Sequence, residues 1–150
     1  MRTFGANIVA SPAQVVDRAI ALAAAHPKDL VSVAGPDGLA AMVALIRAGF
    51  ERVECARQAT CRGADEASDV LMIVGVLEPT DLAALVGRTA RLLRDGGTLV
   101  VQLDHAAADA SLRAALAGAG FVTGAPVIDR ASGCLVVRKV NRAAALAVAS

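Results

Sequence analysis

The sequence has very few aromatic residues and lacks long apolar runs. It contains no Trp or Tyr and three Phe among 150 residues, so a stacking surface for a flat ligand is scarce. No apolar run approaches the ~20 residues that a membrane-spanning helix needs. The N-terminus has no apolar stretch of signal-peptide length. From these absences we expect a cytoplasmic protein with no membrane partner.

Cysteine, histidine and excess basic charge are also scarce. The three cysteines, Cys55, Cys61 and Cys134, cannot all pair within one chain, and a core of this size does not need disulfides. Their spacing, with two distant histidines, matches no common zinc pattern, so we expect no metal site. The net charge is +1 and the Lys and Arg residues are scattered. This distribution argues against a nucleic-acid partner.

What the chain does have is apolar content sufficient for a full core. Hydrophobic residues make up 56% and charged residues 19% of the sequence, which excludes a disordered chain. No linker, repeat or low-complexity stretch divides it. We therefore expect residues 1–150 to form a single α/β domain, since compact domains commonly hold ~100–150 residues.

The segment 67–101 predicts one βαβ unit. Its first predicted strand, Val70–Val74, is apolar on both faces, as expected of a parallel strand covered by helices on both sides. An amphipathic helix, a Gly-Gly turn and a second strand, Thr98–Leu103, follow. The arginines Arg88, Arg91 and Arg94 are spaced i, i+3, i+6, which favours a solvated helix face.

Further α/β units surround this segment. Upstream, the patterns predict a helix from Ser11-Pro12, a strand Leu30–Ala34, a helix Leu39–Arg47 and a strand Arg52–Ala56. Downstream, they predict a helix Ala107–Ala117 and two antiparallel strands, Phe121–Ile128 and Cys134–Val140. Cys134 falls in an apolar run, and we expect it to be a packing residue.

This order of elements resembles the class I S-adenosylmethionine-dependent methyltransferase fold over residues 29 to 140. RLLRDGGTLVVQL resembles that family's segment before and within its fifth strand, and AALAGAGFVTGAPVIDRASGCLVVRKV is similar to its sixth strand, turn and seventh strand. The resemblance implies a three-layer, doubly wound, mostly parallel sheet with a C-terminal antiparallel hairpin strand. Residues 58–69 are too few for a helix and another strand. We therefore expect the family's third strand to be missing.

The resemblance also implies a cofactor crevice at the carboxyl ends of the first, second and fourth strands. The candidate cofactor-binding residues there are Gly35, Asp37, Gly38, Arg57, Gly75 and Glu78. The family's glycine-rich first motif falls on VSVAGPDG, where Ser32 replaces an acidic residue and Ala34 and Pro36 replace two glycines. Because proline fixes φ and has no N–H to donate, this loop is a poorer cradle.

The family's ribose-binding carboxylate falls on Arg57 by spacing. Arginine has five donors and no acceptor, so it cannot accept hydrogen bonds from the ribose diol as a carboxylate does. Glu54 is the alternative if the register differs. These departures predict that S-adenosylmethionine binds weakly or not at all.

No residue is assigned a catalytic role. GVLEP, at the fourth-strand end, holds no nucleophile or base spaced for methyl transfer to nitrogen. Asp104 and His105 would lie near the crevice mouth, but adjacent residues at a strand end point in different directions. Methyl transfer can also proceed by proximity and orientation alone, so an enzyme is not excluded.

Three functions remain open from the sequence. The leading one is a degenerate methyltransferase-like domain with a non-catalytic binding or scaffolding role. The second is an S-adenosylmethionine-dependent methyltransferase with an altered cofactor site, and the third is a Rossmann-like module that binds an anion or nucleotide phosphate through Arg57 and the loop 35–38. We also expect a protein partner or a homodimer, because the alanine-rich stretches 106–119 and 143–149 favour close helix packing between subunits.

Overall fold

The computed structural model describes residues 11–56, 67–103, 110–121, 127–129 and 133–139. One sheet is made of the strands β1 Leu30–Ala34, β2 Arg52–Cys55, β3 Ser68–Ile73, β4 Leu93–Gln102, β5 Val127–Asp129 and β6 Cys134–Arg138. Their order across the sheet is β2-β1-β3-β4-β6-β5. The strands β1 to β4 pair in parallel, and β6 runs antiparallel to both β4 and β5.

Helices cover both faces of this sheet. They are α1 Pro12–Ala23, α2 Gly38–Arg47, α3 Pro79–Thr89 and α4 Ala110–Gly118. One core cluster joins α1 and α2 to the sheet face that carries Val31 and Val33. The other joins α3 and α4 to the opposite face, which carries Leu71 and Ile73. The three-layer, doubly wound, mostly parallel fold is therefore confirmed.

Local sequence signals fix the ends of the first helix. The hydroxyl of Ser11 accepts a hydrogen bond from the backbone N–H of Gln14 at 3.3 Å, and the Gln14 side chain accepts from the N–H of Ser11 at 2.9 Å. This reciprocal cap satisfies N–H groups that the first turn leaves unpaired, and Pro12 suits the first helical position. The helix ends where Ala24 takes a left-handed conformation.

Strand β2 forms one edge of the described sheet, as expected if the family's third strand is missing. It pairs with β1 from Leu30↔Arg52 to Val33↔Cys55. Within the described part of the chain, no strand pairs with its other side. No described helix is long and apolar enough to cross a membrane.

The predicted start of the fourth strand was wrong. Both Gly96 and Gly97 belong to β4, which begins at Leu93 rather than at Thr98. The N–H of Gly96 donates to the carbonyl of Lys139, and the N–H of Lys139 donates to that of Gly97, both at 2.9 Å. Pairing with a segment more than forty residues away therefore recruits the two glycines into the ladder, which local turn chemistry does not reveal.

Other boundaries differ by a few residues. Strand β3 spans Ser68–Ile73 instead of Val70–Val74. At the hairpin, Phe121 forms an isolated bridge with Lys139, and β5 is limited to Val127–Asp129. Parts of the predicted helix and hairpin, residues 107–109, 122–126 and 130–132, lie outside the described residues. Cys134 is fully buried in the core, which confirms its packing role.

Candidate functional site

The loops after β1 and β3 leave the sheet in opposite directions. The first leads to α2 on one face, and the second leads to α3 on the other. Such a point, where neighbouring parallel strands send their connections to opposite faces, is where open α/β sheets form a ligand crevice. Four of the predicted cofactor-binding residues, Gly35, Asp37, Gly38 and Gly75, lie in these two loops.

The two loops contact each other closely through their backbones. Gly35 has φ +96°, and a Cβ atom placed there would lie 2.5 Å from the carbonyl oxygen of Val74. Gly75 has φ +106°, and its Cβ atom would lie 2.9 Å from both the Asp37 nitrogen and Pro36 Cδ. A side chain therefore does not fit at either glycine, and the two loops are in direct contact. We call the contact between residues 35–38 and 74–75 the loop latch.

Backbone hydrogen bonds hold the loop latch together. The N–H of Asp37 donates to the carbonyl of Val74 at 3.0 Å, and the N–H of Gly38 donates to that of Gly35 at 3.1 Å. The N–H of Gly75 donates to Gln102 Oε1 at 2.8 Å, and Gln102 is itself buried. Pro36 has no N–H. The N–H groups of Asp37, Gly38 and Gly75 are therefore already bound to protein oxygens.

The predicted acidic and basic ligand-binding side chains are dispersed. Asp37 and Glu78 precede α2 and α3, are exposed, and make no side-chain capping hydrogen bond. Arg57 lies outside the described residues, as do Asp104 and His105. The structure thus brings the predicted glycines together with the backbone of Asp37, and leaves Glu78 at the start of α3.

Ser32 and Glu54 lie inside the sheet. Ser32 is fully buried, and its hydroxyl contacts the hydroxyl of Ser68. The strand register pairs Ser32 with Glu54. Glu54 therefore lies three residues below the level of Gly35, and it is the penultimate residue of β2.

An open cleft lies beside the loop latch, between the carboxyl ends of β1 and β2 and one face of α3. Its volume is about 850 Å³, within the ~300–1,000 Å³ typical of small-molecule sites. The strand ends contribute Ala34, Gly35, Pro36, Cys55 and Ala56, and the other wall is formed by Leu77, Asp81, Ala84, Leu85, Gly87, Arg88, Thr89, Arg91 and Leu92. We call this space the α3 cleft.

The charges of the α3 cleft are separated along the helix. Asp81 lies in the first turn of α3, and Arg88 lies seven residues later, ~10 Å along the axis at 1.5 Å per residue. Arg91 follows in the 3₁₀ turn Ala90–Leu92. None of these three side chains forms an ion pair with a described residue. The guanidinium groups of Arg88 and Arg91 therefore have hydrogen-bond donors available for a ligand.

This arrangement corrects the interpretation of the three arginines as one solvated helix face. Arg94 belongs to β4, and its Nε donates to Asp69 Oδ1 at 2.7 Å. The cleft was not predicted from the sequence, because its opposite wall comes from strand ends distant in sequence. The available signal was the spacing of Asp81, Ala84, Leu85 and Arg88 at i, i+3, i+4 and i+7.

The ion pair with Arg94 alters the pKa of Asp69. Partial burial acts to raise its pKa, but the backbone N–H of Leu30 and the guanidinium of Arg94 outweigh that effect. The pKa of Asp69 is consequently held below its ordinary value. Its other carboxylate oxygen accepts the Leu30 N–H at 2.9 Å. Asp69 thus ties β3 to the starts of β1 and β4, and it belongs to the scaffold rather than to the cleft.

Comparison with known proteins places the fold. No protein-family model matches the sequence, and no curated protein matches it. The sugar N-methyltransferase KedS8 from Streptoalloteichus is similar in structure, with a TM-score of 0.59 and 15% identity over 93% of this chain and 91% of that chain. The amino pentose methyltransferase CalS10 from Micromonospora echinaspora gives a TM-score of 0.51 and 15% identity over 86% of this chain and 90% of that chain. The chain has a class I methyltransferase-like fold.

A protein of the NADB-Rossmann superfamily from Streptococcus agalactiae is also similar, with a TM-score of 0.56 and 16% identity over 89% of this chain and 70% of that chain. At these identities the likeness extends to the fold alone. In this fold, the loop latch joins the loops after β1 and β3, and the α3 cleft lies beside it at the carboxyl ends of β1 and β2.

Proposed function

We propose that this methyltransferase-like domain has a non-catalytic binding role and does not transfer methyl groups. The observation that carries the proposal is the loop latch, because it engages backbone N–H groups of the loop on which the family's glycine-rich motif falls. Pro36 packs against Gly75 there, and Asp37 donates its N–H to Val74. The scarcity of aromatic side chains supports the same conclusion.

The energetic cost of opening the loop latch opposes cofactor binding. Each backbone hydrogen bond contributes ~1 kcal/mol, and a ligand diol buried without its acceptor costs a further ~1–3 kcal/mol. Together these terms reduce affinity by roughly 30- to 1,000-fold at ~1.4 kcal/mol per factor of ten. We therefore expect S-adenosylmethionine to bind with a dissociation constant well above the low micromolar range.

Titration calorimetry with S-adenosylmethionine and S-adenosylhomocysteine tests this proposal. Pro36→Gly restores an N–H and removes the contact with Gly75, so we expect it to strengthen binding relative to Pro27→Gly, a matched change outside the latch. Arg57→Asp should also strengthen binding if the sequence register is right. A low micromolar dissociation constant for the unaltered protein would instead support an S-adenosylmethionine-dependent methyltransferase with an altered site.

The α3 cleft favours a second candidate function, the binding of an anionic ligand. Arg88 and Arg91 supply the charge at one end, while Ala84, Leu85 and Leu92 give an apolar wall. Guanidinium groups bind phosphates and carboxylates through paired hydrogen bonds. The cleft therefore suits a ligand with an apolar body and a phosphate or carboxylate group, such as a mononucleotide.

Calorimetry with AMP, ADP and inorganic phosphate tests this candidate. We expect Arg88→Gln and Arg91→Gln each to weaken nucleotide binding about tenfold, the loss of ~1.4 kcal/mol from one charge-assisted hydrogen bond. Arg113→Gln is the matched control, because Arg113 is exposed on α4 and does not line the cleft. Equal affinities for all three variants would exclude the cleft as the anion site.

A further inference from the structure

The carboxylate of Asp81 lies at the opposite end of the α3 cleft from the two arginines. Asp81 and Arg88 are seven residues apart on α3, so they lie within ~20° of each other around the helix axis and ~10 Å apart along it. Both residues line the cleft. Among the described residues, the Asp81 side chain forms no ion pair and no hydrogen bond. The cleft therefore has acceptor atoms available at one end and donor atoms available at the other.

Apolar side chains line the cleft between these charges. Leu85 lies between Asp81 and Arg88 on the same face of α3, ~40° from Asp81 around the axis. Leu77 and Ala56 also line the cleft, and all three apolar residues are partly buried and pack against the core. The middle of the cleft thus offers the apolar contact on which the ring of a nucleobase can pack.

The order of groups along the α3 cleft matches that of an extended mononucleotide. The phosphate of a mononucleotide and the Watson–Crick edge of its base lie at opposite ends of the molecule, with the sugar and the ring between them. When Arg88 and Arg91 bind the phosphate through charge-assisted hydrogen bonds, the edge of the base comes to the Asp81 end of the cleft. The side chain at that end therefore selects among the bases.

The hydrogen-bonding capacity of Asp81 favours one base over the others. A carboxylate accepts hydrogen bonds and donates none. The Watson–Crick edge of guanine presents two adjacent donors, N1–H and the N2 amine, and each can bind one carboxylate oxygen. Adenine and cytosine present one donor beside an acceptor, and uracil presents one donor between two acceptors. Of these four bases, guanine alone has the two donors that suit Asp81.

We propose that the α3 cleft binds a guanine mononucleotide, with the phosphate at Arg88 and Arg91 and the Watson–Crick edge of the base at Asp81. This inference rests on the anion-binding function proposed for the same cleft, and it adds the identity of the base. We expect GMP to bind about tenfold more tightly than AMP, which is within the discrimination that a bidentate contact to one base provides. IMP retains N1–H and lacks the N2 amine, so its affinity should lie between the two.

Titration calorimetry of the whole chain with GMP, IMP and AMP tests this assignment. The decisive variant is Asp81→Asn, because an amide offers one acceptor and one donor and so suits the edge of adenine rather than that of guanine. We expect Asp81→Asn to weaken the binding of GMP about tenfold and to strengthen that of AMP, so that the preference reverses. A change of charge or of helix stability alone would shift both affinities in the same direction.

Asp95→Asn is the matched control, because Asp95 is an exposed acid that does not line the α3 cleft. It should leave the preference for GMP unchanged, and circular dichroism of both variants checks that the fold is retained. Equal affinities for GMP and AMP, both weakened by Arg88→Gln, would leave the cleft as an anion site and overturn the assignment of the base. A shift of both affinities in the same direction in Asp81→Asn would also overturn it. Binding of neither nucleotide would overturn the assignment and the anion-binding function together.

Discussion

Gly35 and Gly49 have similar backbone conformations but different surroundings. Their φ angles are +96° and +99°, and a Cβ atom at Gly49 would meet nothing within 4 Å, whereas at Gly35 it would lie 2.5 Å from the Val74 carbonyl oxygen. Both positions disfavour an L side chain for conformational reasons. Only Gly35 is also required by the close approach of the loop latch.

We therefore expect Gly35→Ala to destabilise the protein much more than Gly49→Ala. The conformational cost common to both is ~1 kcal/mol, and the clash with Val74 should raise the loss for Gly35→Ala to ~3 kcal/mol or more. Urea denaturation followed by circular dichroism measures the difference. Equal losses would show that the two loops separate easily and that the loop latch adds little stability.

The Asp69 carboxylate predicts a pH-dependent contribution to stability. Its pKa is lowered in the folded protein, so its stabilising effect is present above the unfolded value of ~3.9 and is lost as the pH falls through the lower, folded value. Because Asn at position 69 still offers an acceptor to Leu30, the change removes mainly the charge. We expect Asp69→Asn to cost ~1 kcal/mol at pH 7, as for a partly exposed ion pair.

Denaturation at a series of pH values measures this contribution. The difference between Asp69→Asn and the unaltered protein should shrink below ~pH 3.9. Asp17→Asn is the control, since Asp17 is exposed and has no partner among the described residues. A difference that stays constant down to low pH would mean that the charge of Asp69 contributes nothing.

At the scale of elements, Lys139 joins three parts of the sheet and its connections. Its Nζ donates to the carbonyls of Ala90 and Leu93 at 2.8 and 2.6 Å, which closes the 3₁₀ turn before β4. Its backbone pairs with Gly96 and Gly97 within β4. One residue after β6 therefore fixes where α3 ends and where β4 begins.

Lys139→Met should remove the two side-chain hydrogen bonds and retain the apolar stem. We expect a loss of ~2 kcal/mol, as for hydrogen bonds that involve a charged group and are partly exposed. Arg138→Met is the matched control, because Arg138 is exposed on the neighbouring position of β6. Thermal unfolding of both variants measures the effect, and a loss for Lys139→Met no larger than that for the control would contradict it.

The elements that were predicted correctly are those whose signals are local. The Ser11 cap, the apolar strand Leu30–Ala34 and the end of α2 at Arg47 follow from neighbouring residues. The start of β4 at Leu93 and the loop latch depend on contacts between residues far apart in the sequence. Pro36 predicted a loop that is poorly suited to bind the cofactor, but its packing against Gly75 was visible only in the structure.

At the scale of the whole molecule, the order of the strands was the most predictable property. The succession of α/β units and a final hairpin allows few arrangements once crossovers are right-handed and sheets are covered on both faces. The location of the candidate site was less predictable. The α3 cleft combines the ends of β1 and β2 with one face of α3, and no short sequence motif marks residues that come together in this way.

We expect the chain to unfold as one cooperative unit, as a single domain should. Each core cluster contains residues of β1, β3 and β4, so neither face of the sheet is independent of the other. Calorimetry should therefore give equal calorimetric and van't Hoff enthalpies at low protein concentration. Two separable transitions would show that the chain contains more than one folding unit.

The loop latch has a consequence for the exchange of amide hydrogens with solvent. The Asp37 amide belongs to a loop residue with an exposed side chain, yet its hydrogen is bound by the carbonyl of Val74, which directly follows a buried strand. An amide held in this way exchanges only when the segment opens. The Asp37 amide should therefore exchange as slowly as the amides of the strand it contacts. Part of this surface loop would then have the exchange rate of the core.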